Sequence, residues 1–489
     1  MRMITMSHVL YALVTVSVIL VMFFRRGVVI PTLIGTFIIG WVYKGDVISG
    51  FKAVYNANLT AAKELFTIFL IITFMVALLN SLKDIGADRR MIQPLQKLIV
   101  NGHIAFFALA GITFVISLFF WPTPAVPLIG ALLIPAAVRA GLPPMGAAMA
   151  IAMAGQGMAL SSDYIMQVAP MLSATGAGIG TAAVADKAMI LSLITGGVAI
   201  GSAYLLNKKS ISEPVAGDLG MPQPIVLKTA DKAEQQEPSY AEAAATTETL
   251  APSLQRWSKI FAVAVPLSML AIMIVMAASK LGSGLGSFEG GDGAAFIGGV
   301  AIILLILASI ALGKADALDK ISDHLVEGFV FAFRAMGPVI PIAGFFFLGN
   351  SDFSGSILSV AEGAAAPAFL FDLVASVQSY IPSSSFLTGF GLLLIGIVTG
   401  LDGSGFSGLP LTGSLSGALA PAVGMDPSTL AAIGQMGAIW AGGGTIIAWS
   451  SLVAVAGFAG VSAIDLARKN FIPVMLGLIV STLFAIIFW

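Results

Sequence analysis

Pro127-Leu128-Ile129-Gly130-Ala131-Leu132 and Pro410-Leu411-Thr412-Gly413-Ser414-Leu415 are near-copies lying 283 residues apart, and the relation between them decides the fold. In the same ungapped register Gly141 meets Gly424, Pro144 meets Pro427, Ala148 meets Ala431 and Met153 meets Met436. Interruptions coincide as well. Trp121-Pro122-Thr123-Pro124 falls over Ser404 to Ser407, and Ser161-Ser162 over Gly444-Thr445. A fainter echo pairs Asn80-Ser81 with Asn350-Ser351. Glycine- and alanine-rich helices align by composition alone, but composition does not reproduce two breaks and their proline-led helices. The chain reads as a duplication.

What is duplicated belongs in a membrane. Of 489 residues, 58% are hydrophobic and only 10% charged; a soluble domain carries about 25% charge. Apolar runs near 7–24, 27–43, 65–82, 103–139, 143–173, 185–206, 257–279, 294–312, 327–349, 384–424, 427–460 and 470–488 are each long enough to span or enter a hydrocarbon core about 30 Å thick. The first is read as a span rather than a signal peptide, since Arg25 and Arg26 follow it and no small-residue cleavage site appears. A net charge of −1 without a basic stripe excludes a nucleic-acid partner. The absence of cysteine removes thiol catalysis and thiolate metal sites. Residues 207–256 are polar, with few large apolar side chains, and read as a disordered linker between a membrane repeat at 1–206 and a second at 257–489.

Two segments are too long for one crossing. Residues 103–139 are interrupted at Trp121-Pro122-Thr123-Pro124, and 384–424 at Asp402-Gly403-Ser404-Gly405-Phe406-Ser407-Gly408, so each reads as a re-entrant hairpin with its tip inside the membrane. Residues 143–173 and 427–460 read as transmembrane helices unwound midway, at Ser161-Ser162-Asp163 and at Gly442-Gly443-Gly444-Thr445.

Charge orients the halves. Arg25, Arg26, Lys83, Arg89, Arg90, Lys97, Arg139, Lys208, Lys209, Arg256, Lys259, Lys314, Lys320, Arg468 and Lys469 fall on one side, the cytoplasmic one; between Arg334 and Arg468 there is no basic residue. The same elements are therefore cytoplasmic in the first half and external in the second, which makes the repeats inverted and places both termini outside and the linker inside. Lys44, Lys52 and Lys63 oppose this pattern. The expected fold is an all-α polytopic protein of a bacterial cytoplasmic membrane.

Inverted repeats bring broken elements together near the midplane, where helix ends offer partial charges to a solute. The substrate candidates are Pro122, Thr123 and Pro124 at tip one, Ser404 and Ser407 at tip two, and Ser161, Ser162, Gly443, Gly444 and Thr445 at the unwound helices. A carboxylate at membrane depth costs about 2.5–3.5 kcal/mol and needs a partner or a role. Asp402 and Asp163 are therefore expected to carry a coupling ion, Na+ or H+, with Na+ nearest Asp402; the plainer role for either is a helix cap. Gln156 and Gln435 line the same site or bond a neighbouring helix. Arg334 sits where it can snorkel, Glu362 and Asp372 read as solvated, and the three histidines lack metal-ligand spacing. No cofactor is expected, and no acid–base constellation supports an enzyme.

A lateral segment, a re-entrant hairpin and an unwound helix in each half resemble the ion transporter superfamily, which includes divalent-anion sodium symporters, citrate and gluconate or lactate permeases and some sodium/proton antiporters. Where the divalent-anion symporters carry Ser-Asn-Thr, this chain holds Trp-Pro-Thr-Pro, Ser-Ser-Asp, Asp-Gly-Ser-Gly and Gly-Gly-Gly-Thr. The resemblance implies a homodimer with a scaffold and a mobile transport domain working as an elevator. The expected function is cation-coupled symport of a small organic anion such as a carboxylate; the alternative is Na+/H+ antiport without an organic substrate.

Overall fold

The computed structural model describes residues 4–24, 26–213, 252–280, 292–313, 317–361, 364–377, 383–401, 405–447 and 450–489. The first half runs α1 (Met6–Phe23), α2 (Val29–Lys44), α3 (Val47–Asp84), α4 (Ala87–Ile92), α5 (Gly102–Phe119), α6 (Pro122–Arg139), α7 (Pro144–Ile151), α8 (Val168–Ala177) and α9 (Thr181–Asn207). The second runs α10 (Pro252–Lys280), α11 (Asp292–Gly313), α12 (Ala317–Met336), α13 (Val339–Phe347), α14 (Ser351–Ile357), α15 (Phe369–Val377), α16 (Ser385–Gly400), α17 (Leu409–Val423), α18 (Pro427–Gly442), α19 (Ser450–Ala459) and α20 (Ala463–Phe488). The order repeats, with α3 answered by the bent pair α12–α13 and α5 to α9 answered by α16 to α20. This is an all-α polytopic membrane protein. Among the described residues four helices cross a bilayer by length and composition alone, and α3 and α12–α13, bent by 46° and 53°, do so as broken spans.

The repeated sequence positions are backbone requirements. Gly141 and Gly424 adopt φ of +93° and +66° at the turns that end α6 and α17, a conformation that a Cβ disfavours. Pro144 and Pro427 then open α7 and α18 at a position where the missing N–H costs nothing. Asn101 and Ser384, again 283 residues apart, cap α5 and α16 by accepting from Ile104 N and Leu387 N.

Counterpart helices pack against each other antiparallel. Thr195 of α9 donates to Ser481 of α20 at 2.7 Å, and Lys187 at the start of α9 lies 5.3 Å from the ring of Trp489 beyond the end of α20. Likewise Asp84 ends α3 beside Lys320 near the start of α12, while Phe69 meets Phe333 one bend away. The equivalent turns sit at opposite ends of α9. Gly141 O accepts from Ser212 N just past its end, and Asp426 pairs with Lys187 at 2.8 Å near its start, about 30 Å away along the helix. The halves are therefore inverted with respect to each other.

Two apolar bodies result. One gathers α1–α3 and α10–α13 around Phe345, Phe346 and Phe347; the other gathers α5–α7, α9, α16 and α18–α20. Helices α8 and α17 cross between them, and α13 packs on both.

Three expectations need revision. Residues 47–64, left between the expected spans 27–43 and 65–82, form part of α3, because Ala53, Ala57, Ala61, Leu65 and Phe69 line one buried face at a spacing of four despite the intervening Lys and Glu. Asp372 is not simply solvated, since it accepts from Ala368 N and lies 3.4 Å from His8 Nε2. The edges of the expected linker are ordered: α9 reaches Asn207 and α10 starts at Pro252, while 214–251 lies outside the described residues, as does Glu362. Lys44, which opposed the charge pattern, donates to Ser359 O at 3.0 Å and so sits beside the turn that follows α14.

Candidate functional site

The first tip forms because Phe120 and Trp121 are extended between α5 and the proline that opens α6. Pro122, Thr123 and Pro124 make the first turn of α6. The Trp121 ring is buried and stacks on Phe406 of the second tip, with centroids 5.3 Å apart and planes at 27°. The two hairpin tips thus meet. Asp402 and Ser404 lie outside the described residues; Gly405 follows with φ +72°, then Phe406 and the buried Ser407 lead into α17.

The second tip is seated on the second break. A Cβ on Gly442 would overlap Gly405 N and stand 2.5 Å from its Cα, so only glycine lets the chain pass there. Beyond it α18 unwinds through Gly443 and Gly444, the latter with φ +100°. The Thr445 hydroxyl donates to Trp440 O, and Asn470 of α20 donates to Thr445 O at 2.9 Å. The loosened carbonyls are in this way held by side chains within the protein.

The first break has a different construction. Helix α7 passes into a π-helical stretch, Ala152–Ala159, then a turn, Leu160–Ser162. Asp163 follows with φ +36°. Wide π turns in helices favour functional positions. The Ser161 and Ser162 hydroxyls turn back onto Met158 O and Ala159 O at 3.3 and 2.9 Å. Asp163, 4% exposed, accepts from Ala169 N at 2.8 Å and so caps α8. Gln435 of α18 ties this break to its neighbours: its amide donates to Ser161 O and its oxygen accepts from Ser173 of α8, both at 2.9 Å. Gln156 is fully buried, and neither its Nε2 nor its Oε1 has a hydrogen-bond partner. Its backbone carbonyl faces Gly443, where a Cβ would stand 2.7 Å from it. The two breaks are in contact.

Of the residues singled out from sequence, the structure brings Gln156 to Gly443 and Gln435 to Ser161, and seats the tip that carries Ser407 on the second break. Trp121, Phe406, Trp440 and Asn470 were not singled out. The only signal was the presence of large or polar side chains at or beside a break. Among the described residues no three His, Asp or Glu side chains converge for a metal.

This geometry defines a polytopic α-helical membrane protein with paired broken elements at its centre. The chain belongs to the family of the uncharacterized membrane protein YhfA of Bacillus subtilis (strain 168), which it matches at 36% identity over 479 residues, 98% of this chain and 97% of that protein. It matches no described protein-family model. The fold is similar to the crystal structure of the Alcanivorax borkumensis YdaH transporter, with a TM-score of 0.53, 14% identity, and coverage of 90% of this chain and 88% of that one.

Proposed function

We propose that the protein is a secondary active transporter of the ion transporter superfamily type, carrying a small organic anion such as a carboxylate together with Na+ or H+. One observation carries this reading. Two hairpin tips and two helix breaks, one of each from inverted halves, touch one another where two separately packed apolar bodies meet. A symmetric meeting of broken elements gives a solute equivalent routes from either side of a membrane. That a solved protein of similar fold is a transporter supports it.

In this reading α6, α8 and α17 direct their N-termini at the breaks, where partial positive charge suits an anion. Substrate contacts come from Pro122, Thr123 and Pro124, Ser161 and Ser162, Ser404 and Ser407, and Gly443, Gly444 and Thr445. The coupling ion sits near Asp402, Asp163, Gln156 and Gln435. The body containing α5–α7, α9, α16 and α18–α20 moves as an elevator along the other, within a homodimer in the bacterial cytoplasmic membrane, its termini outside and its linker inside. The membrane potential adds about 2.3 kcal/mol per charge per 100 mV to the driving force.

A thermal-shift screen of the purified protein against organic anions, with and without Na+, tests the reading. Stabilisation by at least one carboxylate, strengthened by Na+ or by lowered pH, is expected. Indifference to every anion alongside a response to cations alone would favour antiport instead.

A further inference from the structure

Far from its tip, the base of the first hairpin carries an apolar groove with one polar end. Leu98, His103, Ile104, Phe107 and Ala108 line a space of about 490 Å³, within the range of about 300–1,000 Å³ that small-molecule sites occupy. Gln96 donates to Leu132 O at 2.8 Å and so holds the 3₁₀ turn Gln93–Leu98 against α6, which brings Leu98 beside the first turns of α5. Leu98, Ile104 and Phe107 are each about half exposed.

The polar end is made by His103 and by Tyr204 of α9. His103 Nδ1 lies 2.9 Å from the Tyr204 hydroxyl, and the Tyr204 ring rests on Phe106 and Phe107 at 5.7 and 4.8 Å between centroids. With Nδ1 engaged, Nε2 is the ring nitrogen open to a further partner. Helix α5 is long and apolar enough to cross a bilayer and begins at Gly102, so His103 and Tyr204 stand where aromatic and polar side chains meet lipid headgroups.

Basic residues gather around this end. Lys97 precedes Leu98, and Lys208 lies one turn beyond Tyr204. Ile211, just past Lys208 and Lys209, packs so closely on Gly102 that a Cβ there would overlap its Cγ2, which holds both lysines at the start of α5. Arg139 closes α6 at the same turn, where Gly141 O accepts from Ser212 N at 3.0 Å. Lys97, Arg139, Lys208 and Lys209 are exposed, and the described ion pairs of Lys and Arg fall elsewhere, on Lys187, Lys320 and Arg468. Glu213 is the acidic residue that follows them on the same segment. The second half offers a comparison within the chain. Shifted by 283 residues, Arg139 is answered by Ala422, His103 by Phe386 and Tyr204 by Ile487. The preference of basic residues for the cytoplasmic side accounts for Arg139. It does not account for His103 and Tyr204, which need no fixed charge to hold a fold together.

We propose that this groove binds one anionic phospholipid, with an acyl chain along Leu98, Ile104 and Phe107 and the phosphate held by His103 Nε2, Lys97 and Lys208. Charge complementarity selects the occupant, since basic pockets beside transmembrane helices favour anionic headgroups. A zwitterionic lipid would bring its own cation to a surface already rich in positive charge, and a free phosphate would leave the apolar lining uncovered. The bound lipid fastens the base of the first hairpin to the headgroups of one leaflet. The site stands whether or not the protein transports an anion.

The test is thermal unfolding of the full-length purified protein in detergent with increasing phosphatidylglycerol, against phosphatidylcholine of the same chains and against glycerol phosphate. Phosphatidylglycerol should raise the wild-type melting temperature at concentrations where the other two do not. His103→Phe, which installs the residue of the second half, should raise the half-saturating phosphatidylglycerol at least tenfold, as should Lys208→Gln combined with Lys209→Gln. Arg256→Gln combined with Lys259→Gln removes the same charge from the exposed start of α10 and should leave it unchanged. Ala108→Trp fills the groove and should abolish the response with every charge in place; should that variant fail to fold, the exposed lysine pair still decides. Without lipid the lysine variant should melt as the wild type does, whereas a merely structural role would lower its melting there. Equal stabilisation by both lipids overturns the site, and so does an equal loss in the Arg256 and Lys259 variant, which would mean diffuse surface charge. Stabilisation by glycerol phosphate alone would overturn it as well, because the groove would then have no part.

Discussion

Gly442→Ala is the perturbation whose consequences the structure sets most tightly. The new methyl would overlap Gly405 N and stand 2.5 Å from Gly405 Cα and 2.8 Å from Gly400 O. All three are backbone atoms, so no rotamer change relieves the contact. Ordinary carbon contacts begin at about 3.5 Å, so the second tip must retreat from the second break by about 1 Å. Overpacking of this kind costs about 1–3 kcal/mol. The gain in helix propensity from replacing glycine, at most about 1 kcal/mol, offsets only part of that at a helix end. The expected net is a loss of about 1–2 kcal/mol in stability, with uptake of the transported anion reduced at least tenfold because the tip no longer seats. Gly391→Ala on α16 is the control. Its Cβ meets nothing within 4 Å, so melting should hold or rise and uptake should be unchanged. Melting in detergent and initial uptake rates in proteoliposomes read both. If Gly442→Ala melts and transports as Gly391→Ala does, the seating of tip on break carries no functional meaning.

Gln435→Leu removes both bonds that join α18 to the first break and to α8; at about 0.6–1.7 kcal/mol for each buried membrane hydrogen bond, melting should reveal a loss of about 1–3 kcal/mol, and Ser173→Ala should add less to it than it costs alone. The chain has no cysteine, so single cysteines report topology without background: Ala422→Cys should react with an impermeant maleimide on intact cells and its counterpart Arg139→Cys only after permeabilisation, whereas labelling of both from outside would contradict inversion across the membrane.

Much of the fold was legible because the repeated residues answer backbone demands that sequence expresses directly. A left-handed turn needs Gly141 and Gly424, and a helix opening accepts Pro144 and Pro427, whatever surrounds them. The positions of the breaks were legible for the same reason. What surrounds a break was not. No propensity distinguishes the π-helical stretch of Ala152–Ala159, which packs against α5, α9 and α18, from an ordinary helix. Residues 47–64 looked polar because their buried face is lined by alanines, whose small size weakens the apolar signal. The stacking of Trp121 on Phe406 joins residues 285 positions apart in inverted halves, a pairing that follows only once the halves are folded together. Asp163 shows how a residue type underdetermines its part. Sequence allowed a coupling carboxylate or a cap, and the bond to Ala169 N shows the cap while leaving the carboxylate buried beside the break.

The transporter proposed above uses a cation gradient to move an organic anion. Its most direct measurement is uptake of the stabilising carboxylate into proteoliposomes holding the full-length protein, under an inward Na+ gradient, an inward H+ gradient or neither. One of the two gradients should drive accumulation above the external concentration, and the matching ionophore should abolish it. Equilibration that neither gradient alters would contradict cation-coupled anion transport, as would a proton gradient dissipated by Na+ with no anion present.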